Sequence, residues 1–140
     1  EGTVARGQLH DDDHFYTGTV DGKLVTTFPF KVDATVLERG QQRYDIFCSP
    51  CHDRIGQGQG MIVQRGFKRP PSLHIERLQT VEVGYLFDVM TRGFGSMYSY
   101  ASSIPPRDRW AIAAYIRALQ FSQSAPVAKL SEEDRKKLGE

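Results

Sequence analysis

The sequence is short of cysteine, of excess charge and of long apolar runs, and each shortage narrows the possible functions. Only two of its 140 residues are cysteine, so any thiol chemistry is confined to them. Its 18 Lys and Arg oppose 17 Asp and Glu, and a net charge of +1 gives no indication of binding to nucleic acid or a membrane surface. No apolar run approaches the ~20 residues that a transmembrane helix needs.

The sequence also lacks an initiator methionine and a signal-like stretch. We therefore expect that processing or truncation removed a segment before Glu1, and with it an anchor. The composition, 39% hydrophobic and 25% charged, is ordinary for a soluble globular protein. At 140 residues the chain is expected to form one domain with an arm or tail.

Residues 1–33 differ from the rest of the chain and are interpreted as an extended N-terminal arm. Gly, Thr and Asp are frequent here, and the only candidate strand is KLVTTFPF, which Pro29 weakens. Because the arm carries aromatic side chains that need burial, we expect it either to lie on the domain or to reach a partner. These side chains are Phe15, Tyr16, Phe28 and Phe30.

Apolar periodicity after the arm predicts an all-α fold. Spacings of three and four residues predict a helix at 36–47. A second helix is predicted at about 81–92, with Thr80 as its N-cap and Gly93 just beyond its end. Glycine and proline are frequent between these two helices, which indicates an irregular loop.

Two further helices are predicted toward the C-terminus. The stretch DRWAIAAYIRALQ, at 108–120, gives the clearest helical pattern in the chain. The stretch LSEEDRKKL predicts a short, solvated helix with Ser131 as N-cap. We place the main domain at 34–122 and a tail at 123–140.

The two cysteines lie in the motif Cys48-Ser-Pro-Cys51-His52. Such a motif could form a disulfide, a redox dithiol, part of a zinc site or a haem attachment site. A disulfide would close a very small loop and stabilise the fold little. A thioredoxin-type dithiol would follow a strand, whereas this motif follows a helix. A structural zinc module needs four ligands, and the motif supplies three.

Covalent haem attachment uses every functional residue of this motif. Cys48 and Cys51 can each reach one vinyl group of a porphyrin, and His52 then faces the iron. The three moderate helices and glycine-rich loops also enclose little apolar volume. A bound porphyrin would supply part of the missing core.

The residues around the motif resemble the class I cytochrome c family. In that family a glycine and an aromatic residue before the motif pack on two residues of the last helix. Gly40 and Tyr44 hold the first two positions here, and Ile112 and Tyr115 the second two. The resemblance implies a cytochrome c fold of about three to five helices around one covalently bound haem c, with the extended arm added.

The resemblance also assigns residues after the motif. In PPSLH, Pro71 would offer its carbonyl to Nδ1 of His52, and Leu73 would pack on the porphyrin. Among the candidate sixth ligands of the iron, Met97 in GFGSM is where the family has its axial methionine. Other candidates are less suited, because Met90 lies in a predicted helix, Met61 follows too soon after the motif, and His74 lies in a loop that the family places on the proximal side. The family commonly has proline after this methionine, and the residue here is Tyr98, which predicts a less rigid loop.

Three phrases resemble a more specific group, the mono-haem cytochrome c subunit of bacterial alternative complex III. They are GTVARG, IVQRGFKRPPSLH and DRWAIAAYIRALQ, in this order. The resemblance implies a subunit of a membrane quinol-oxidising complex, on the periplasmic side and anchored through an N-terminus that is missing here. Its partners would be other haem subunits and a terminal oxidase or soluble acceptor.

The expected function is therefore one-electron transfer and not enzymatic catalysis. The alternative is a haem protein with a labile sixth ligand that acts as a peroxidase or gas sensor. A basic cluster, Arg65, Lys68, Arg69 and Arg77, is expected either to balance haem propionates or to dock a partner. The arm is expected to serve assembly, with its aromatic residues as anchors.

Overall fold

The computed structural model describes residues 3–4 and 9–137, and the side chain of Lys129 is not among them. Most of the phrase GTVARG therefore lies outside the described residues. The secondary structure runs as α1 (Asp13–Thr17), β1 (Thr19–Val20), β2 (Lys23–Leu24), α2 (Ala34–Phe47), α3 (Ser49–His52), α4 (Glu76–Thr80), α5 (Val83–Arg92), α6 (Pro106–Gln123), a 3₁₀ turn (Val127–Lys129) and α7 (Glu132–Lys137). Helices dominate, and the all-α prediction is confirmed.

Helices α2 and α6 cross at close range, and Gly40 makes this approach possible. A β-carbon at Gly40 would overlap the Ala111 carbonyl and come within 2.9 Å of Cβ of Tyr115. One turn further along α2, the buried ring of Tyr44 meets Tyr115 edge to face at 5.4 Å between ring centroids. Tyr44 also shares a buried cluster with Ile112. The crossing predicted from these four positions is therefore present.

The ends of the two crossing helices are fixed by local polar contacts. Asp33 caps α2, because its Oδ1 accepts a hydrogen bond of 3.0 Å from the Val36 amide. Pro106 begins α6, where its missing N–H costs nothing. Arg39 of α2 donates to both carboxylate oxygens of the buried Asp108 of α6, at 2.8 and 2.7 Å. This bidentate pair fixes the relative position of the two helices.

The arm lies against α5 and α6 and contains short elements of its own. Asp12 caps α1 by accepting a hydrogen bond of 3.0 Å from the Phe15 amide. Strands β1 and β2 form an antiparallel hairpin. Three arm aromatics pack against a buried cluster of Val25, Val83, Phe87 and Trp110. They are Phe15, Phe28 and Phe30.

Some predicted boundaries are wrong, and the reasons are tertiary. Thr80 is not the N-cap of the second long helix but the last residue of α4, a helix that the sequence pattern did not indicate. Val81 and Glu82 are extended, and α5 begins at Val83. Arg117 of α6 supports this break by donating to the carbonyls of Leu78, at 2.9 Å, and of Val81. The candidate strand KLVTTFPF pairs only at its first two residues.

The tail follows the prediction more closely. The Asp134 amide donates a hydrogen bond of 3.1 Å to Oγ of Ser131, so Ser131 caps α7 as expected. Helix α7 buries none of its residues. Across the described ranges, no helix combines the length and the apolar character needed to cross a membrane.

Candidate functional site

One cavity of about 390 Å³ lies between α2, α3, α5 and the two loops that follow α3 and α5. Its walls are mostly apolar side chains. All six residues selected from the sequence line it. They are Cys48, Cys51, His52, Pro71, Leu73 and Met97.

The Cys-Ser-Pro-Cys-His motif is held by helical hydrogen bonds. The Cys48 amide donates to the Tyr44 carbonyl at 2.8 Å, and the His52 amide donates to the Cys48 carbonyl at 2.8 Å. Pro50 lies in the first turn of α3, where proline is tolerated. Both cysteines are free thiols and lie on the cavity wall one helical turn apart.

The titratable groups of the motif are held in their uncharged forms. Burial, with smaller effects of Cys51 and Asp45, raises the pKa of the Cys48 thiol to about 12. Burial also raises the pKa of Cys51. Burial lowers the pKa of His52, against the opposing effect of Asp53. A neutral imidazole is the form that binds a metal.

His52 has a buried ring nitrogen that none of the described residues satisfies. Its Nδ1 makes no hydrogen bond with them, so the predicted bond to the Pro71 carbonyl is not formed in this structure. Pro71 and Leu73 nevertheless face the same cavity. The Leu73 amide instead donates to the Gly56 carbonyl at 2.8 Å, which ties this loop to the glycine-rich segment.

Asp53 organises the glycine-rich loop, a role that the sequence argument missed. Its carboxylate accepts from the amides of Ile55, Gln57 and Gln59 at 2.9, 3.2 and 2.8 Å. Burial alone would raise the pKa of Asp53, but the backbone hydrogen bonds together outweigh it and lower the pKa. Its own carbonyl accepts from the Tyr44 hydroxyl at 2.9 Å. An aspartate three residues before the first of three alternating glycines, at 56, 58 and 60, is the pattern that could have indicated this turn.

Met97 is far from the motif in the sequence, but it lines the same cavity. Its amide and carbonyl exchange hydrogen bonds of 2.9 Å with Phe94. Gly93 precedes this tight loop with φ of +82°, and a β-carbon there would lie 2.6 Å from the Met97 carbonyl oxygen. Glycine is therefore required at this position.

The other candidate ligands are placed less favourably. Met61 is 55% exposed and does not line the cavity. His74 also lies outside the cavity lining, and its Nε2 lies 2.6 Å from the Ile55 carbonyl oxygen. Met90 does line the cavity, but it belongs to the buried core on α5. In the described parts of the chain, no group of three or more His, Cys, Asp and Glu could hold a metal ion.

Further residues of the cavity wall belong to the basic cluster expected from the sequence, or are aromatic residues that the sequence did not indicate. Three of the four basic residues after the motif line it, whereas Arg65 does not. These are Lys68, Arg69 and Arg77. The remaining wall is rich in aromatic rings, which single-sequence periodicity does not reveal because most lie on loops. They include Phe47, Phe67, Tyr85, Phe94, Tyr98 and Tyr100.

Comparison with known proteins decides the family. The model of the family described as cytochrome c oxidase, cbb3-type, subunit III, matches residues 35–116, more than half of the chain. The chain belongs to this cytochrome c family. The matched range contains both halves of the α2–α6 crossing and all six candidate residues. A comparison with curated proteins finds no match.

A solved structure has the same type of fold. A chain of the Kuenenia stuttgartiensis reducing HAO-like protein complex is similar to this cytochrome with a TM-score of 0.55 and 18% sequence identity. The similarity covers 76% of this chain and 54% of that chain, so the cytochrome spans about half the length of its neighbour. At this identity the similarity shows the fold alone.

Membership of this family implies haem c as the cofactor, and the cavity fits such a group. Its walls are apolar, as a porphyrin face requires. Two thiols and a buried imidazole come from one turn of helix on one wall, and the Met97 loop forms another part of the lining. Basic side chains on the same cavity complement carboxylate groups.

Proposed function

We propose that this protein is a mono-haem c-type cytochrome that carries one electron. Cys48 and Cys51 would hold the haem through thioether bonds, and His52 and Met97 would be its two axial ligands. The observation that carries this proposal is that one apolar cavity gathers these four side chains, together with Pro71 and Leu73. When bound, the haem iron supplies reversible one-electron chemistry.

The residues of the chain would set the conditions for this chemistry. Apolar and aromatic walls exclude water and disfavour additional positive charge on the iron, which raises the reduction potential. His52 presents a neutral imidazole because burial lowers its pKa. The soft thioether of Met97 also favours the ferrous state and therefore raises the reduction potential as well. No side chain in this arrangement needs to change its covalent structure during electron transfer.

Lys68, Arg69 and Arg77 would bind the haem propionates. They line a cavity to which the described residues contribute no Asp or Glu. Arg69 is itself held in place, because its Nη2 donates to the Gln57 carbonyl at 3.0 Å. Arg65 lies off the cavity and remains a candidate for partner docking.

The proposed setting is a bacterial quinol-oxidising membrane complex of the alternative complex III type, at its periplasmic face. The support for this setting is the resemblance of three sequence phrases to that subunit. In chain order they are GTVARG, IVQRGFKRPPSLH and DRWAIAAYIRALQ. Electrons would come from other haem subunits and leave to a terminal oxidase or soluble acceptor. Thioether-linked haem is assembled outside the cytoplasm, which supports a periplasmic position for the proposed haem domain.

Acid–acetone extraction of the purified protein tests the proposal. Colour should remain with the polypeptide, whose mass should exceed the sequence mass by one haem. A double variant, Cys48→Ala with Cys51→Ala, should release any colour into the organic phase. A colourless polypeptide, or one zinc ion per chain, would contradict the proposal. Co-purification with a membrane haem complex tests the proposed partners separately.

A further inference from the structure

Side-chain hydrogen bonds connect α6 with the loop that carries Met97. Nη1 of Arg109, on α6, donates to Oγ1 of Thr91 at 2.6 Å. The carbonyl of Thr91, in the last turn of α5, accepts a hydrogen bond of 2.6 Å from Oγ of Ser99. Ser99 lies two residues after Met97. The connection therefore runs from Arg109 through Thr91 to Ser99.

Arg109 is an unusual residue for a helix core. It is only 4% exposed, and no carboxylate among the described residues forms a salt bridge with it. Its guanidinium lies over the Phe87 ring at 4.7 Å, and its Nε has no hydrogen-bond partner among the described residues. Burying such a cation is costly, so its hydrogen bond to Thr91 is strongly held.

Thr91 connects the hydrogen bond from Arg109 to the end of α5. Its hydroxyl accepts from Arg109 and lies 2.7 Å from the Phe87 carbonyl, to which it donates. The side chain is thus fixed from both sides, and its carbonyl has a fixed direction at the helix end. That carbonyl is the group that Ser99 binds.

Ser99 is one side-chain attachment of the loop after Met97, and the Tyr100 hydroxyl, which donates to the Phe47 carbonyl at 3.4 Å, is another. Oγ of Ser99 donates to Thr91 and accepts a hydrogen bond of 3.3 Å from the Ala101 amide. Tyr98, between Met97 and Ser99, is 78% exposed and lacks the fixed φ of a proline. The backbone next to Met97 is therefore restrained by Ser99 and by the Tyr100 amide, which donates to the Met90 carbonyl at 2.9 Å, and not by residue 98.

We propose that Arg109 is a positioning residue for Met97, acting through Thr91 and Ser99. The connection holds the loop so that the Met97 thioether stays directed into the cavity. It supplies the rigidity that Tyr98 does not. This inference rests on the proposed role of Met97 as the sixth ligand.

Displacement of Met97 by imidazole in the ferric protein measures this restraint. Ser99→Ala removes only the loop attachment through Ser99, and Thr91→Val keeps the shape and the carbonyl of Thr91 but removes its hydroxyl. Each variant should bind imidazole about 3- to 10-fold more tightly. Ser99→Ala loses the hydrogen bond that holds the loop, and Thr91→Val loses the hydrogen bond from Arg109 that fixes the acceptor of that bond. The near-infrared band of methionine ligation reports the displacement.

Ser122→Ala is the matched control. Ser122 also donates from Oγ to a backbone carbonyl, that of Leu119 at 2.7 Å, on an exposed site of α6 away from the loop. This variant should bind imidazole as the unsubstituted protein does. A common increase in all three variants would show general destabilisation and overturn the inference.

A double-mutant cycle tests the order of the connection. If Arg109 acts through Ser99, Arg109→Met should weaken Met97 ligation when Ser99 is present and add little in the Ser99→Ala background. Additive effects would overturn the connection. Should Arg109→Met fail to fold, Thr91→Val replaces it in the same cycle.

The inference and the proposed function fail in different ways. If Met97→Ala retains the near-infrared band, Met97 is not the ligand and both are wrong. If Met97→Ala loses the band but Ser99→Ala and Thr91→Val bind imidazole unchanged, the ligand is right and the positioning role is wrong.

Discussion

The indole Nε1 of Trp110 donates a hydrogen bond of 2.8 Å to the backbone carbonyl of Phe15. Trp110 is fully buried on α6, so this bond ties the arm to the centre of the domain. The Phe28 ring meets the same indole edge to face, 6.0 Å from its centroid. Phe15, Phe28 and Phe30 of the arm are thus packed within this protein. An assembly role for the arm must use its other, exposed surfaces.

Deletion of residues 1–33 should destabilise the domain without changing its iron ligation. We expect the free energy of unfolding to fall by about 3 kcal/mol or more, because Trp110 and Phe87 lose their apolar cover. The visible spectrum should be unchanged, since no described residue before Tyr44 lines the cavity. Chemical denaturation followed by haem absorbance measures both quantities.

Val20→Ala is a control within the arm. Val20 is exposed, so this variant should unfold at the same denaturant concentration as the unsubstituted chain. A deletion variant that keeps full stability would show that the arm contacts contribute little. Loss of haem on deletion would show that the arm supports the cavity itself.

Met97→Ala should leave haem attached but remove the low-spin His/Met spectrum and lower the reduction potential. The reason is that a soft thioether stabilises the ferrous state, and alanine offers no replacement ligand. Met61→Ala should change neither property, because Met61 is exposed away from the cavity. Spectroelectrochemistry of the two variants measures both properties.

Met90→Ala separates core packing from ligation. Met90 is buried on α5, so truncation should cost about 2–5 kcal/mol of stability. The near-infrared band should nevertheless persist. Loss of the band in this variant, with retention in Met97→Ala, would reverse the assignment of the ligand.

Gly40→Ala should be one of the most damaging single-methyl substitutions in the domain. Its β-carbon would overlap the Ala111 backbone carbonyl, so α2 and α6 must separate, at a cost of at least about 3 kcal/mol. Gly95→Ala is the control, because φ there is +57° and no atom lies within 4 Å of the added carbon. Backbone strain alone should cost about 1–2 kcal/mol at Gly95. Equal losses in both variants would argue against the close crossing.

Replacing Lys68 and Arg69 together by glutamine should lower the reduction potential. The two cations line the cavity and disfavour additional positive charge on the iron. Arg65→Gln should leave the potential nearly unchanged, because Arg65 lies off the cavity. If Arg65 instead docks a partner, this variant should change the salt dependence of electron transfer to that partner. A potential that responds equally to all three positions would show that the effect is only one of total charge.

Local sequence was sufficient to predict the motif wall of the cavity. Cys48, Cys51 and His52 lie within one turn of helix, so their spacing fixes their relative positions whatever the rest of the chain does. Gly40 was assigned to the helix crossing through the family resemblance, and the structure gives the reason for glycine, because a β-carbon there would overlap the Ala111 carbonyl. The helical pattern of α6 was equally clear, although the helix extends further at both ends than its apolar spacing indicated.

Contacts between distant segments could not be obtained in this way. No role for Asp53 was predicted from the sequence, although its carboxylate accepts hydrogen bonds from three amides of the following turn. Thr80 had the chemistry of an N-cap, but Arg117, 37 positions further along, binds the carbonyls that end α4. The partners of Asp53 and Arg117 are backbone groups, and which backbone groups still need a hydrogen-bond partner is decided only when the helices and loops have packed.

The sequence by itself determined the chemistry of this protein: two thiols and an imidazole at helical spacing, and a methionine in a glycine-bounded loop. Tertiary structure alone decided that Arg109 reaches that loop through Thr91 and Ser99, and that the arm covers Trp110. The physical reason is the separation along the chain over which each interaction acts. Spacing along a helix is set by covalent geometry and local hydrogen bonds, whereas a buried cation finds its acceptor only after two helices have packed.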